Sequence, residues 1–414
     1  MHPFYPLHPF AQALRHLALL AGLALALPGW AAESAALDLA AALTQAWQLH
    51  PQAAGLDAQD AEARAALDLA NGLTPQPAAA TLGHLNDRLN RNMGRREWEL
   101  ELAVPLWLRG QQDARQDEAH SRIQVAAAQR AAVKLALAGS LREAWWTLAN
   151  ARAGLALATR KLETARALQV DVLKRYRVGE LSRIDANLTQ NEVLAAEAEW
   201  ADASSAVLLA EQAYATLTGQ SPPARLPEEA PATAAAVPDQ HPQLLASTAT
   251  ARSAQVRVRL TSTTNRAAPE LAVRVLRERS DLSERYGNQV GVRLTVPFAM
   301  GAQIQRDTSA ALAESLETQA ELQRTRTRLD LDLARARQQL STSEQQFSLG
   351  QQRVALASDN LALIEKAFSL GESDLATLLR LRSAAFDASA TFERQRISRA
   401  AAVSRLNQAL GVLP

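Results

Sequence analysis

The sequence predicts a mainly α protein of long antiparallel helices into which two short strand hairpins are set. Three observations predict it. First, the chain is written twice. His50-Pro51-Gln52 recurs as His241-Pro242-Gln243, and Val104-Pro105-Leu106 as Val296-Pro297-Phe298. Arg177-Val178-Gly179-Glu180 is echoed by Ser369-Leu370-Gly371-Glu372, and Leu217-Thr218-Gly219 by Ala409-Leu410-Gly411. The proline of the first pair is displaced by 191 residues and the other three anchors by 192, a single offset far longer than a solenoid repeat. Second, long proline-free stretches rich in Ala, Leu, Gln, Arg and Glu carry apolar residues at three- and four-residue steps. Third, once in each half the apolar period drops to two, as in a strand.

The composition narrows the function classes. Lys and Arg (44) balance Asp and Glu (43), so no global field draws the chain to nucleic acid. The absence of cysteine excludes disulfides, thiol catalysis, Cys-type zinc sites and lipidation at an N-terminal cysteine.

Residues 1–32 read as a secretory signal. Arg15 and several histidines precede the apolar run Leu17 to Leu27, Pro28-Gly29 breaks it, and small residues follow up to a cut after Ala31 or Ala32. The run is about 11 residues, against roughly 20 needed for a membrane-spanning helix. No other segment is a candidate span, so any membrane crossing must use strands.

The first repeat covers 33–219. It opens with a helix whose Leu39, Leu43, Ala46 and Trp47 share one face, interrupted by Pro51 and continued from Gln52 to about Gly72. Thr74-Pro75-Gln76-Pro77 stops it. A hairpin is expected over 80–106. Its first strand, Thr81 to Asn90, alternates weakly, and a turn runs from Asn90 to Arg95. Its second strand alternates cleanly, with Trp98, Leu100, Leu102 and Val104 on one face and Glu97, Glu99, Glu101 and Ala103 on the other. Proline, with no N–H to donate, is expected to end each second strand, at Pro105 and Pro297. Helices over 111–178 and 181–218 follow, with a reversal at Gly179. At 1.5 Å per residue the first would be on the order of 100 Å long. Residues 220–238, with five prolines, read as a linker.

The second repeat, 239–414, follows the same plan. Its hairpin covers 270–298, where Leu271, Val273 and Val275 alternate with Ala272, Arg274 and Leu276. After a polar turn, Val290, Val292, Leu294 and Val296 alternate with Gln289, Gly291, Arg293 and Thr295. Helices over 302–370 and 373–410 flank a reversal at Gly371. His50 and His241 read as helix-break residues.

Nothing suggests catalysis. His50, His84, His120 and His241 make no metal-ligand spacing, Met93 and Met300 make no thioether ladder, and no Gly-rich phosphate loop occurs. No catalytic residue, metal site or cofactor is expected. Four strands alone would leave two open edges, an aggregation hazard, and hairpins are marginal in water. Sharing strands between protomers in a transmembrane barrel removes both edges. Lipid would then meet Trp98, Leu100, Leu102, Val104, Val290, Val292, Leu294 and Val296. The lumen would see Glu97, Glu99 and Glu101, offset by Arg274 and Arg293.

With these motifs in order and twice over, the chain resembles the TolC-type outer-membrane efflux proteins across nearly the whole mature sequence. The carriers are the Ala-Leu-x-x-Ala-x-x-x-His-Pro opening, the Val-Pro exits, Arg-Val-Gly-Glu-Leu-Ser, and the Leu-Thr-Gly helix end. The resemblance implies a homotrimer in the Gram-negative outer membrane, a shared twelve-stranded barrel and a periplasmic helical tunnel. It also implies docking onto a periplasmic adaptor and an inner-membrane pump, of the RND type. The tips would then be Val178, Gly179, Glu180, Leu181 and Ser182, with Leu370, Gly371, Glu372, Ser373 and Asp374. The acidic aperture residues common in the family are displaced here: Thr377 and Arg380 stand where acids are expected, leaving Asp185 and Asp374 as candidates. Compact length and short turns resemble the metal-efflux branch; drug export, type I protein secretion and a pore-free periplasmic coiled-coil scaffold are the alternatives.

Overall fold

The computed structural model describes residues 38–90, 92–264, 266–298 and 301–414; the expected signal segment and Met300 lie outside them. The chain opens with α1 (Leu39–Leu49) and α2 (Pro51–Ala70). Asp38 caps α1 by accepting from the Ala41 N–H at 2.9 Å. His50 separates the two helices, and Pro51 sits in the first turn of α2, where its missing N–H is no loss. The imidazole Nδ1 of His50 accepts from the Gln52 N–H, and that of His241 from the Gln243 N–H, at 3.3 and 3.2 Å. The two histidines thus start helices as well as break them.

The hairpins are β1 (Ala79–Asn86) with β2 (Arg96–Pro105), and β3 (Glu270–Arg279) with β4 (Gly287–Thr295). They join through β2 and β3 into one antiparallel sheet, β1-β2-β3-β4. Three sequence expectations need correction or refinement. β1 starts and ends earlier than the alternation implied, because Asp87 folds the following residues into a turn by accepting from the Met93 and Gly94 N–H groups. Pro105 ends β2 as expected but does not stop the hydrogen bonding there, since the next N–H, of Leu106, still donates to the Pro269 carbonyl at 2.7 Å. Val296 lies beyond the end of β4, so it is exposed but off the ladder.

The long helices are α3 (Gln111–Arg177), α4 (Arg183–Thr218), α6 (Gly301–Ser369) and α7 (Leu375–Ala409), with the shorter α5 (Pro242–Thr263) between the halves. α3 packs against α4, α2, α7 and α5, and α6 against α7 and α5. They form a layer one helix thick, in which α2 prolongs the line of α4, and α5 that of α7. Many buried helical positions are alanine, such as Ala138, Ala165, Ala196, Ala336, Ala388 and Ala402, which lets the axes approach closely.

The junctions explain the repeat anchors. A Cβ at Gly219 would lie 2.6 Å from Leu49 Cδ1, and one at Gly411 would lie 2.6 Å from His241 Cδ2 and 2.8 Å from Pro242 Cδ. Both glycines hold positive φ, 70° and 76°. The His-Pro and Gly anchors of each half, far apart in sequence, are therefore placed at the same junction, where a left-handed backbone and the absence of a side chain are both required.

Residues 220–238 are a packed strap rather than a free linker. The strap crosses α3, α7 and α6 in turn. Arg152 donates to the Pro223 carbonyl at 2.6 Å, and the Trp145 indole to that of Pro227 at 3.3 Å. Arg142, 4 % exposed, holds Glu229 through Nε and Nη2 at 2.9 and 2.6 Å, and donates to Gln408 and the Val412 carbonyl. Asn407 exchanges bonds with the strap backbone at Ala230 and Ala232, and Arg337 donates to the Ala234 and Ala235 carbonyls. Beneath it lies the largest apolar cluster, with Leu43, Leu141, Trp145, Tyr214 and Ile397.

Two outcomes follow from this packing. Arg142→Ala leaves a nearly buried carboxylate and two acceptors unpartnered, and should destabilise the fold by about 3 kcal/mol, read as a lower denaturant midpoint. Burial, partly opposed by the Gln408 backbone, holds the His241 ring below the ordinary histidine value of 6.5. The unfolded chain therefore takes up the proton first, so the stability from the neutral ring is full above about pH 6.5 and declines as pH falls below it. His241→Asn, which keeps a capping acceptor, should flatten that part of a melting temperature–pH profile.

Candidate functional site: a two-faced sheet and paired helical tips

The sheet's two faces follow from strand parity and register. Leu82, Leu100, Val275 and Val290 lie side by side on one face, as do Ala80, Leu102, Val273 and Val292, and then Val104, Leu271 and Leu294. Apart from the half-buried Val104, the sequence-predicted apolar set is exposed on this chain, from 37 % at Val296 to 74 % at Val290.

The opposite face carries the charges. Glu99 meets Arg274 at 3.2 Å, Glu101 meets Arg293 at 2.9 Å, and Glu97 meets Arg95 at 3.6 Å. Arg293 reaches Glu101 two strands away because the residue between them, Ala272, has no long side chain. The expected acidic stripe is thus charge-balanced. β1 and β4 each have one unpaired edge.

At the far end of the helices the two reversals share one construction. At the first, the Gly179 N–H donates to the Tyr176 carbonyl and the Glu180 N–H to that of Arg175; at the second, Gly371 donates to Phe368 and Glu372 to Ala367. Both are Schellman endings with glycine at positive φ, 83° and 77°, and in both a Cβ would meet open space. Backbone conformation, not crowding, demands glycine here.

The cap of the next helix stands three residues later in each case. Ser182 and Asp185 form a reciprocal capping box on α4, with the Ser182 N–H donating to Asp185 at 2.9 Å and the Asp185 N–H to Ser182 Oγ at 3.2 Å. Asp374 caps α7 by accepting from the Thr377 N–H at 2.6 Å. Both aperture candidates are therefore held as caps. The Thr377 N–H and hydroxyl keep the Asp374 carboxyl below its usual value, with Arg380 adding to the effect.

Sequence reasoning missed the seam that joins the tips. Leu168 and Val172 of α3 pack with Phe368 of α6 and Leu375 and Leu378 of α7, and the Arg175 guanidinium lies 5.2 Å above the Phe368 ring. Those residues sit within three turns of the glycines in ordinary apolar patterns, and no spacing marks them out. Among the described residues no helix is long and apolar enough to cross a membrane, and no group of three or more His, Asp or Glu could hold a metal ion.

The architecture is thus a layer of very long helices ending in a sheet with an exposed apolar face. No protein-family profile and no curated protein matches the sequence, but solved structures do. The Vibrio cholerae outer membrane protein VceC is 18 % identical, with 90 % of this chain and 96 % of that chain covered, at a TM-score of 0.74. The Campylobacter jejuni CmeC outer membrane channel is 15 % identical, with 90 % and 85 % covered, at 0.74. The Neisseria gonorrhoeae MtrE outer membrane channel, in its open state, is 16 % identical, with 90 % and 89 % covered, at 0.73. The chain has the fold of the TolC-type outer-membrane channels.

Asp374→Ala should speed amide exchange at Thr377 and the first turn of α7, while the Ser182-capped turn of α4 keeps its protection. Because the folded carboxyl is held below 3.8, the wild-type protection is full above that pH and is lost as pH falls through the lower folded value.

Proposed function

We propose that this chain is the protomer of an outer-membrane exit channel in a tripartite efflux system. One observation carries the reading: a sheet with one apolar exposed face, one polar face and two open edges, standing at the end of helices far longer than itself. Three copies pairing β1 to β4 would close a twelve-stranded barrel and leave no edge. The apolar rows then face lipid, and the ion-paired face lines a wet lumen. The helical layers would close side by side into a periplasmic tunnel.

On this reading the tips, Val178 to Ser182 and Leu370 to Asp374, meet a periplasmic adaptor, through which an inner-membrane pump of the RND type delivers substrate. Conduction is passive. Glu99 and Glu101 are neutralised by Arg274 and Arg293, so the barrel face discriminates weakly, and the choice between metal cations and drugs falls to the pump. Asp185 and Asp374 are pinned near the aperture end, where three-fold symmetry would triple their charge.

The test is assembly. The wild-type protein should purify as a detergent-requiring trimer from the outer membrane, and a water-soluble monomer would overturn the reading in favour of a scaffold. Leu100→Arg with Leu102→Arg should remove the trimer from the membrane, since an arginine on the lipid face costs about 2–4 kcal/mol per site towards the midplane. Normal assembly of that variant would show that this face does not meet lipid.

A further inference from the structure

We propose that the apolar face of the sheet ends, at its turns, in a belt that binds the phosphate groups of outer-leaflet lipid. This rests on the membrane reading above. The strand parity that places Trp98, Leu100 and Val275 on that face continues to Arg96, Arg277 and Arg279. Arg277 stands directly opposite Trp98, and Arg96 directly opposite Arg279. The helices leave the sheet at its other end, so these arginines lie at the end remote from the tunnel.

Like charges directly opposite on paired strands repel, and Asp281, close enough for Arg279 to lower its carboxyl pKa, offsets that one guanidinium only in part. No carboxylate forms an ion pair with any of the three among the described residues, whereas Arg274 and Arg293 on the other face are both paired. The nearby acids are engaged elsewhere. Asp87 and Asp281 accept from turn N–H groups, Glu284 accepts from the Ser280 N–H, and Glu278 is held on the opposite face by Gln289. The cluster is nonetheless built. The Arg277 and Arg279 guanidiniums lie 4.9 and 5.0 Å from the Tyr286 ring, and Arg279 Nε donates to the Gly94 carbonyl at 3.1 Å. In the same row as Arg277, and one row below Arg96 and Arg279, the His84 and Trp98 rings stack at 4.0 Å.

Apolar rows, then a row in which the aromatic pair stands beside Arg277, then Arg96 and Arg279 at the turns, follow the depth profile of a lipid: chains, interface, phosphate. Guanidinium groups match phosphate bidentately. A free anion would use only the arginines. A lipid also covers the Leu100, Val275 and Val290 row, so the occupant is a phosphorylated lipid.

The experiment compares wild-type protein with the triple variant R96Q/R277Q/R279Q in phosphatidylcholine bilayers doped with labelled lipid A, either bisphosphorylated or dephosphorylated. The wild type should retain the phosphorylated form selectively, and the variant should lose that selectivity on the order of tenfold or more. The R96K/R277K/R279K variant should keep part of it. Equal retention of both lipids by the wild type overturns the belt, as does undiminished selectivity in the glutamine variant or displacement by inorganic phosphate at concentrations that match the lipid. If the glutamine variant does not insert, the wild-type comparison and the lysine variant decide. A wild type that enters no bilayer overturns the membrane reading and the belt together; one that inserts as a trimer without lipid selectivity overturns the belt alone.

Discussion

A layer one helix thick has no interior, and this constraint governs the rest of the structure. The accessible surface is 27583 Å², against roughly 16,000 Å² for a compact monomer of the same mass. Each helix can bury only the narrow seams facing its neighbours. Small side chains narrow those seams, and bulky ones gather where a third element covers the layer. That is why the Trp145–Tyr214 cluster lies under the strap and the Phe368–Leu375 cluster lies where two hairpins converge. Leucines outside these places, such as Leu349, Leu356 and Leu363 on α6, stay exposed at seven-residue spacing, as they would on a helix awaiting a neighbour.

The two halves keep their common plan wherever backbone chemistry sets it. Both reversals are Schellman endings three residues before a polar cap, and both helix junctions set a positive-φ glycine against the His-Pro break of the same half, at Leu49 in the first and at His241 and Pro242 in the second. They part company where the chain must connect. The strap occurs once, and Arg142 on α3 serves it by gripping Glu229 together with the end of α7. One arginine therefore ties the first half, the connection and the chain's C-terminal segment.

The sheet shows how one alternating pattern does two different things. On one face carboxylates and guanidiniums alternate across strands and neutralise each other. On the other, apolar rows give way to arginines that form no ion pair among the described residues. The same parity rule generates both, and the difference lies in which side chains the neighbouring strand presents.

The sequence by itself determined the elements, the duplication and the polarity of the strands. These are local: helix periodicity, glycine at positive φ and alternation along a strand are written in consecutive residues, so Gly179, Gly371, Trp98 and Glu99 were legible. Only the tertiary structure decided what lies side by side. The β2–β3 register brought Arg96 against Arg279 and Arg274 near Glu99, and that register depends on residues some 180 positions apart. It also decided that a proline-rich connection would be a packed strap, because its prolines say only that it is neither helix nor strand. Its partners, Arg142, Asn407 and Arg337, are polar residues on helices whose own patterns give no reason to expect a contact there. Pairing across such separations is fixed by packing of whole elements, and no local pattern encodes it.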